Sequence, residues 1–187
     1  MSTEYDRDDT SRSLEDRLRE VEDRLAILQI EGAYSSTYDG GRGRDWAALF
    51  TEDGIYQGRR LDGMAEQNFV QGREALASFC DSNRIRCIHY LSVPELSIAG
   101  TEATGRVNFT FRGFGVDGYG RVNVTEAEGY YDVAYRRTAE GWRIRRRFTV
   151  YFERGQRTAF GYEPSYAPFE TENPVPEDAA GGFQDRR

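Results

Sequence analysis

Histidine and cysteine are scarce in this chain of 187 residues, which has one histidine, His89, and two cysteines, Cys80 and Cys87. The cysteines do not form a CxxC pair, and one histidine cannot complete a familiar zinc-binding set. We therefore expect reduced, structural thiols and no bound metal. No stretch approaches the ~20 apolar residues of a membrane span. The polar, acidic N-terminus does not resemble a secretory signal, so we expect a cytoplasmic protein without a membrane partner.

Positive charge is outnumbered by negative charge. Lys and Arg total 25, Asp and Glu total 32, and the net charge of −7 argues against a nucleic-acid partner, which would need a positive surface. The sequence has no GxGxxG after a strand and no phosphate-binding loop, so it implies no cofactor. Aromatic residues are abundant at 13%. They suit a pocket for a flat, hydrophobic ligand and equally suit a core rich in strands.

Composition divides the chain into three parts. Residues 1–12 are charged and aperiodic, which predicts disorder. Residues 13–154 read as one α+β domain. Residues 155–187 form a tail that contains Pro164, Pro168, Pro174 and Pro176 among aromatic residues. The aromatic part, from Phe160 to Phe169, is expected to pack on the domain as a candidate pocket cap.

Three helices are predicted before the long strands begin. Between the second and the third helix, a turn is predicted over 51–54, a strand starts at Ile55 and a further short strand ends at Gly72. Ser13 and Asp16 mark the start of the first helix, and Gly40 and Gly41 end it near Asp39. Shorter helices are predicted over 45–50 and 73–82. The first helix carries one apolar stripe, the side that an amphipathic helix turns toward a core. Its members are Leu14, Leu18, Val21, Leu25, Leu28 and Ala33.

After the third helix the hydrophobic period changes to two. Strands are predicted over 84–99, bent at Pro94, and over 103–114, 122–137 and 142–152. They form an antiparallel meander, and the helices pack on one face of this curved sheet. Tyr131, Val133 and Tyr135 share one parity. We expect them on the outer face of the sheet, where self-association would cover them.

His89 lies on the strand that is predicted to begin at residue 84. It shares parity with Ile85, Cys87, Leu91 and Val93, so its imidazole is expected on a buried or cavity-lining surface. A buried imidazole needs a partner for each ring nitrogen. Asp39, at the end of the amphipathic helix, is the candidate. A carboxylate that fixes the tautomer of a histidine in an apolar pocket makes a general base.

An ordered set of short motifs carries a family resemblance over residues 14–153. They are Ala33-Tyr34-Ser35-Ser36-Thr37-Tyr38-Asp39, the run from Trp46 to Gly54, Gly72-Arg73-Glu74-Ala75-Leu76, Ile88-His89-Tyr90 and Gly141-Trp142-Arg143-Ile144. This set resembles the SnoaL-like branch of the nuclear transport factor 2 superfamily. The resemblance implies a cystatin-like α+β barrel, in which a cone-like curved antiparallel sheet packs against three N-terminal helices.

Within that superfamily the chain looks most like scytalone dehydratase, lindane dehydrochlorinase and the bile-acid dehydratase. By this resemblance His89 is the base, Asp39 orients it, Tyr34 and Tyr56 are pocket tyrosines, and Arg147 assists the leaving group. Strand alternation would instead turn Arg146 inward, and a β-bulge would reconcile the two. The side chains expected to bind substrate are Asn108, Thr110, Phe111, Tyr38, Trp46 and Phe160.

These inferences predict a cofactor-independent lyase, a dehydratase, or an isomerase or cyclase. Its substrate would be hydrophobic, of polyketide or steroid type. Two alternatives stay open. One is a non-catalytic binding or assembly subunit that resembles the small subunit of aromatic-ring dioxygenases. The other is an epoxide hydrolase of the same fold, for which Asp132 and the arginines are available. By resemblance we expect a homo-oligomer, a trimer rather than a dimer.

Overall fold

Ten elements build the domain in the computed structural model, which describes residues 12–60, 67–83, 85–116 and 122–156. The helices are α1 (Leu14–Asp39), α2 (Gly43–Ala48) and α3 (Arg73–Asp81). The strands are β1 (Phe50–Arg60), β2 (Gln67–Gln71), β3 (Arg86–Leu91), β4 (Glu95–Ala99), β5 (Glu102–Val116), β6 (Val122–Thr138) and β7 (Gly141–Gln156). The α+β class is confirmed, with the helices on a curved sheet.

The sheet is mixed rather than purely antiparallel. Its strand order is β2-β1-β7-β6-β5-β3, and β4 also pairs with β5. The long strands β5, β6 and β7 form the predicted antiparallel meander, but β1 lies parallel to β7. The predicted turn over 51–54 is part of β1, which is irregular between Phe50 and Ile55.

The predicted strand over 84–99 is two strands. Both β3 and β4 pair antiparallel with β5, and the chain leaves the ladder between them at residues 92–94. Pro94 has no N–H to donate and is suited to such a break. Val93 is 79% exposed, so its predicted inward position is wrong. Cys87, His89 and Leu91 keep the predicted parity and are less exposed than their neighbours.

Helix α1 has the predicted ends but faces the opposite way. The Ser13 hydroxyl oxygen accepts a hydrogen bond from the Asp16 N–H, and the helix ends at Asp39. The buried face carries Asp23, Ile27, Ile30, Glu31 and Tyr34. The predicted apolar stripe lies outside, since Leu14, Leu18, Val21 and Leu25 are each more than half exposed. The expectation that this stripe faces the core is wrong.

Strands β6 and β7 supply much of the core. Tyr131, Val133 and Tyr135 are buried on the inner face, so the prediction that they face outward is wrong. In the ladder Ala134 pairs with Arg146 and Tyr135 pairs with Ile144, which leaves Arg145 as an extra residue. This is the bulge that an inward Arg147 requires, and it buries Arg147 and leaves Arg146 exposed.

Residues 1–11 and 157–187 lie outside the described residues, and with them most of the tail and Phe160. Strand β7 extends to Gln156, two residues past the predicted domain boundary. Among the described residues, no helix is both long enough and apolar enough to cross a membrane.

Candidate active site

The end of α1 and the middle of β3 bring Asp39 and His89 together. Asp39 Oδ1 lies 2.6 Å from His89 Nδ1, and Oδ2 accepts a hydrogen bond of 2.8 Å from the His89 backbone N–H. The side chains of His89 and Asp39 are 7% and 17% exposed, respectively. One carboxylate therefore contacts both the ring and the backbone N–H of His89, and these two contacts fix the position of Asp39 relative to the histidine.

A third donor approaches the same carboxylate. The Cys87 thiol lies on the His89 side of β3 and donates to Asp39 Oδ1 at 3.4 Å, while the Asn83 amide contacts the sulfur at 3.5 Å. An ionised carboxylate only accepts hydrogen bonds, and these neighbours of Asp39 are donors. In a neutral imidazole, this arrangement places the ring proton on Nδ1 and leaves the lone pair on Nε2.

The imidazole forms part of the wall of a cavity of about 340 Å³. The His89 ring lies 4.9 Å from the Phe111 ring, 5.3 Å from Tyr38 and 6.2 Å from Tyr34, measured between centroids. Most of the lining side chains are aromatic. They are Tyr34, Tyr38, Tyr56, Phe79, Phe109, Phe111, Tyr131 and Tyr151, joined by Ser82, Asn83, Ile85, Thr125 and Ala127.

The cavity tyrosines are held in the neutral form. Burial raises the pKa of Tyr34, Tyr38 and Tyr131 above the ordinary value for a phenol. The nearby Arg147 guanidinium lowers the pKa of Tyr34 and Tyr131, but less than burial raises it. These phenols therefore remain hydrogen-bond donors across the whole neutral range. They can hold an oxygen that gains negative charge during a reaction.

Arg147 lies behind the cavity wall rather than on it. Its guanidinium carbon lies 3.7 Å from the centroid of the Tyr34 ring and 3.8 Å from that of Tyr131. The side chain is fully buried and is not part of the cavity lining. Arg147 is predicted to assist a leaving group, and its position behind the wall gives it no direct contact with the cavity. Arg147 instead supports two tyrosines that do line the cavity.

Three other predicted contacts are also not on the cavity surface. Strand alternation turns Phe109 and Phe111 inward, so Asn108 and Thr110 point to the other face of β5, and Asn108 is exposed. Trp46 is fully buried behind the wall, against the rings of Tyr34, Tyr38 and Phe50. By contrast, Tyr34, Tyr38, Tyr56 and Phe111 do line the cavity.

Several residues of the site were missed by sequence reasoning. Tyr131 lies on the inner face and not on the predicted outer one, and Phe109 and Tyr151 also line the cavity. Phe109 had a usable signal, because it shares parity with Phe111. Glu31 was also missed, although it follows the second stripe of α1, formed by Ile27, Ile30 and Tyr34. Cys87 is a free thiol, as predicted, and its sulfur also contacts the Asp39 carboxylate, which no feature of the sequence indicates.

A metal ion has one candidate position among the described residues. Asp39, Cys87 and His89 each offer one ligand atom, and these atoms lie within 4.8 Å of one another. Oxygen, sulfur and nitrogen donors in this number suit Zn²⁺ with a fourth position open. An ion there would replace the hydrogen bond between Asp39 and His89. The residues fit such an ion only at the expense of the acid–base pair.

A second depression, of about 600 Å³, lies on the other face of the sheet. It is lined by Arg106, Asp132 and Arg146, among others, and His89 is not part of it. Arg106 pairs with Asp132 through hydrogen bonds of 2.8 and 3.0 Å. We assign the candidate active site to the smaller cavity, because it contains the paired imidazole and carboxylate.

The fold and the site together define a class of protein. A helix-borne carboxylate meets a strand-borne imidazole inside an aromatic cavity, on a cystatin-like frame of three helices and a curved sheet. The chain belongs to the SnoaL-like domain family, whose model matches residues 19–148. The resemblance inferred from the sequence motifs is thereby confirmed. No curated protein sequence shows significant similarity to the chain.

Solved structures agree on the fold. An NTF2-like protein with a cystatin-like fold from Novosphingobium aromaticivorans is 27% identical, with a TM-score of 0.60, over 75% of this chain and 88% of that one. A candidate scytalone dehydratase from the same organism is 19% identical, with a TM-score of 0.62, over 77% and 91%. A hexachlorocyclohexane dehydrochlorinase is 14% identical, with a TM-score of 0.61, over 74% and 91%. The last two are similar in fold alone.

Proposed function

We propose that this protein is a lyase of the dehydratase type, or an isomerase or cyclase, in which His89 is the general base. The observation that carries the proposal is the 2.6 Å contact between His89 Nδ1 and Asp39 Oδ1 at the wall of an aromatic cavity. A buried histidine with one nitrogen fixed by a carboxylate has its other nitrogen available to take a proton.

In the proposed reaction, His89 Nε2 removes a C–H proton adjacent to a carbonyl group. The electron pair of that bond passes through the enolate and forms the new C=C bond as the C–O bond to the leaving hydroxyl breaks. The imidazolium, stabilised by Asp39, returns its proton to the departing oxygen, and water leaves. Return of the proton to a different carbon would give an isomerase, and attack of the enolate on a second carbonyl would give a cyclase.

The tyrosines supply the complementary charge stabilisation. Tyr34, Tyr38 and Tyr56 line the same cavity as His89, and neutral phenols donate hydrogen bonds to an enolate oxygen. The cavity volume of about 340 Å³ is near the lower end of the range for small-molecule sites, roughly 300–1,000 Å³. It favours a flat substrate of two or three fused rings, of polyketide type, over a larger one of steroid type.

An activated carbon acid tests the base even though the natural substrate is unidentified. We propose 5-nitro-1,2-benzisoxazole, a flat bicyclic molecule. Removal of its ring C–H proton forms a nitrile, breaks the N–O bond and releases a coloured phenolate. The wild type should catalyse this opening, and His89→Ala should lower kcat/KM by about 10²–10⁴-fold. Equal rates within twofold would contradict the assignment of the base.

A matched control lies on the same strand. Tyr90 is 58% exposed and is outside the cavity lining, so Tyr90→Phe should keep the wild-type rate. Thermal unfolding of both variants shows whether the fold survives. A loss of activity in both variants with intact folding would show that the effect of His89→Ala is not specific to the cavity.

Two alternatives have less support. An epoxide hydrolase would need further acidic groups in the cavity, and Asp132 lies on the other face of the sheet, paired with Arg106. A non-catalytic assembly subunit gives no reason for a carboxylate to hold a histidine in an aromatic cavity. Opening of the benzisoxazole by the wild type and not by His89→Ala distinguishes the proposed enzyme from both.

A further inference from the structure

Helix α1 has an exposed apolar face that the described part of the domain does not cover. Leu14, Leu18, Val21, Leu25 and Leu28 recur at steps of four, three, four and three residues; we call these five residues the α1 seam. The first four are 77%, 55%, 51% and 56% exposed, and Leu28 is half-buried. This spacing is that of the a and d positions of a coiled coil.

The seam lies directly opposite the face that packs on the domain. At 3.6 residues per turn, its five members fall within a sector of about 80°, and Ile27, Ile30 and Tyr34 lie on the other side of the helix. The helix also extends past the domain. Its first buried residue is Asp23, which accepts a hydrogen bond from the Trp142 indole. The preceding turns gain little burial from the described part of the domain, and a short unsupported helix is marginal in water.

The charged residues beside the seam are arranged for self-pairing. With Leu18 and Leu25 as a positions, Arg17 and Arg24 are g positions on one side, and Glu15 and Glu22 are e positions on the other. In a parallel pair, a g residue faces the e residue five positions later on the partner helix, so Arg17 meets Glu22 in both directions. An antiparallel pair would place arginine near arginine and glutamate near glutamate.

We propose that the α1 seam is a self-association surface, on which α1 of a second copy of this chain packs in parallel as a short coiled coil. The charge pattern is what selects a second copy, because it is complementary to itself in one orientation. The described residues of the domain leave room for this partner, since they occupy the opposite face of the helix. The seam ends at Gly32, the next a position, which has no side chain and open space around it.

Sedimentation velocity of the full chain tests whether the seam associates. The wild type should form a reversible oligomer, and Leu25→Lys should raise its dissociation constant at least about tenfold, because a lysine would be buried in the seam. Ala26→Lys adds the same charge at an exposed residue outside the seam and should leave association unchanged. Circular dichroism confirms that both variants keep the fold.

Charge exchange tests the parallel orientation. Arg17→Glu and Glu22→Lys should each weaken association by about two- to fivefold, as expected for exposed ion pairs. The double variant should recover the wild-type value, because the pair is restored with its signs reversed. An antiparallel pair would still bring like charges together, so a double variant that remains weak would contradict the orientation.

A crosslink provides a second measure of orientation. Leu14→Cys should form a disulfide between two copies under mild oxidation, because only a parallel pair brings the two helix starts together. Arg19→Cys, outside the seam, should not. A monomeric wild type overturns the proposal, and so does an oligomer that Leu25→Lys leaves intact. Association that appears only after removal of residues 157–187 would show that the tail occupies the seam, and would also overturn it.

Discussion

Arg147 Nη1 contacts both carboxylate oxygens of Glu31, at 2.8 and 2.9 Å, and both side chains are buried. Burial lowers the pKa of Arg147, but Glu31 and the surrounding tyrosines raise it more, so the guanidinium stays charged. Tyr135 donates a further hydrogen bond of 2.8 Å to Glu31. Together, Glu31, Arg147 and Tyr135 join α1 to β7 and β6 behind the cavity wall.

Removing one member of this buried ion pair should destabilise the protein more than removing both. Arg147→Met or Glu31→Gln alone leaves one buried charge unpaired, and each should lower the free energy of unfolding by about 3–5 kcal/mol. The double variant should lose clearly less than the sum of the two, since neither charge remains. Urea unfolding measures all three, and strictly additive losses would contradict the coupling.

The cavity tyrosines should matter for rate more than for stability. Tyr34→Phe and Tyr56→Phe each remove one donor and keep the ring. Loss of the donor that holds the developing oxyanion should lower kcat by about 10²–10³-fold with a ketone substrate. The benzisoxazole, whose leaving oxygen is already activated, should be affected less. If neither phenylalanine variant changes kcat for any substrate, the oxyanion role is wrong.

Alkaline pH should unfold the protein through its buried tyrosines. Burial raises the pKa of Tyr34, Tyr38 and Tyr131 in the folded state, so the unfolded chain loses these protons first. Below the unfolded pKa of about 10, the free energy of unfolding does not depend on these tyrosines. As the pH rises above that value, the unfolded chain ionises first and the free energy of unfolding falls. Tyrosinate absorbance from these residues should therefore appear together with loss of the far-ultraviolet circular dichroism signal. Ionisation well before unfolding would contradict their burial.

Zinc ions should inhibit the opening of the benzisoxazole, because they would compete for the side chains of Asp39 and His89. Zn²⁺ bound by Asp39, Cys87 and His89 would coordinate His89 Nδ1, the nitrogen that now contacts the Asp39 carboxylate. Benzisoxazole opening should fall when Zn²⁺ is added and recover with a chelator. Cys87→Ser should weaken inhibition at least about tenfold, because serine replaces a soft thiolate ligand. Inhibition unchanged by Cys87→Ser would place the ion elsewhere.

Much of the fold was predictable because local patterns identify its elements. The Ser13 cap, the Gly40-Gly41 stop and the alternation through His89 are short-range features, and each matches the structure. Strand parity and the end of α1 make Asp39 a candidate partner of His89, and the family resemblance supports the choice of this acid over others. Asp39 and His89 are 50 residues apart, and nothing in either segment alone indicates that they meet.

The orientation of α1 was not predictable from hydrophobicity. The helix has two stripes. The more apolar one is exposed, and the buried one contains Asp23 and Glu31. Those acids are tolerated inside only because Trp142 and Arg147, more than 100 residues away, supply donors to them. A long-range pairing of this kind leaves no trace in a local periodicity.

The tautomer of His89 tests the central claim most directly. Because the chain has one histidine, a long-range ¹H–¹⁵N correlation spectrum of ¹⁵N-labelled protein reports this ring alone. For the neutral ring we expect a pyrrole-type shift for Nδ1 and a pyridine-type shift for Nε2, and Asp39→Asn should abolish this preference. A wild type with its proton on Nε2, or a ring that averages between tautomers as in a free peptide, would contradict the proposed general base.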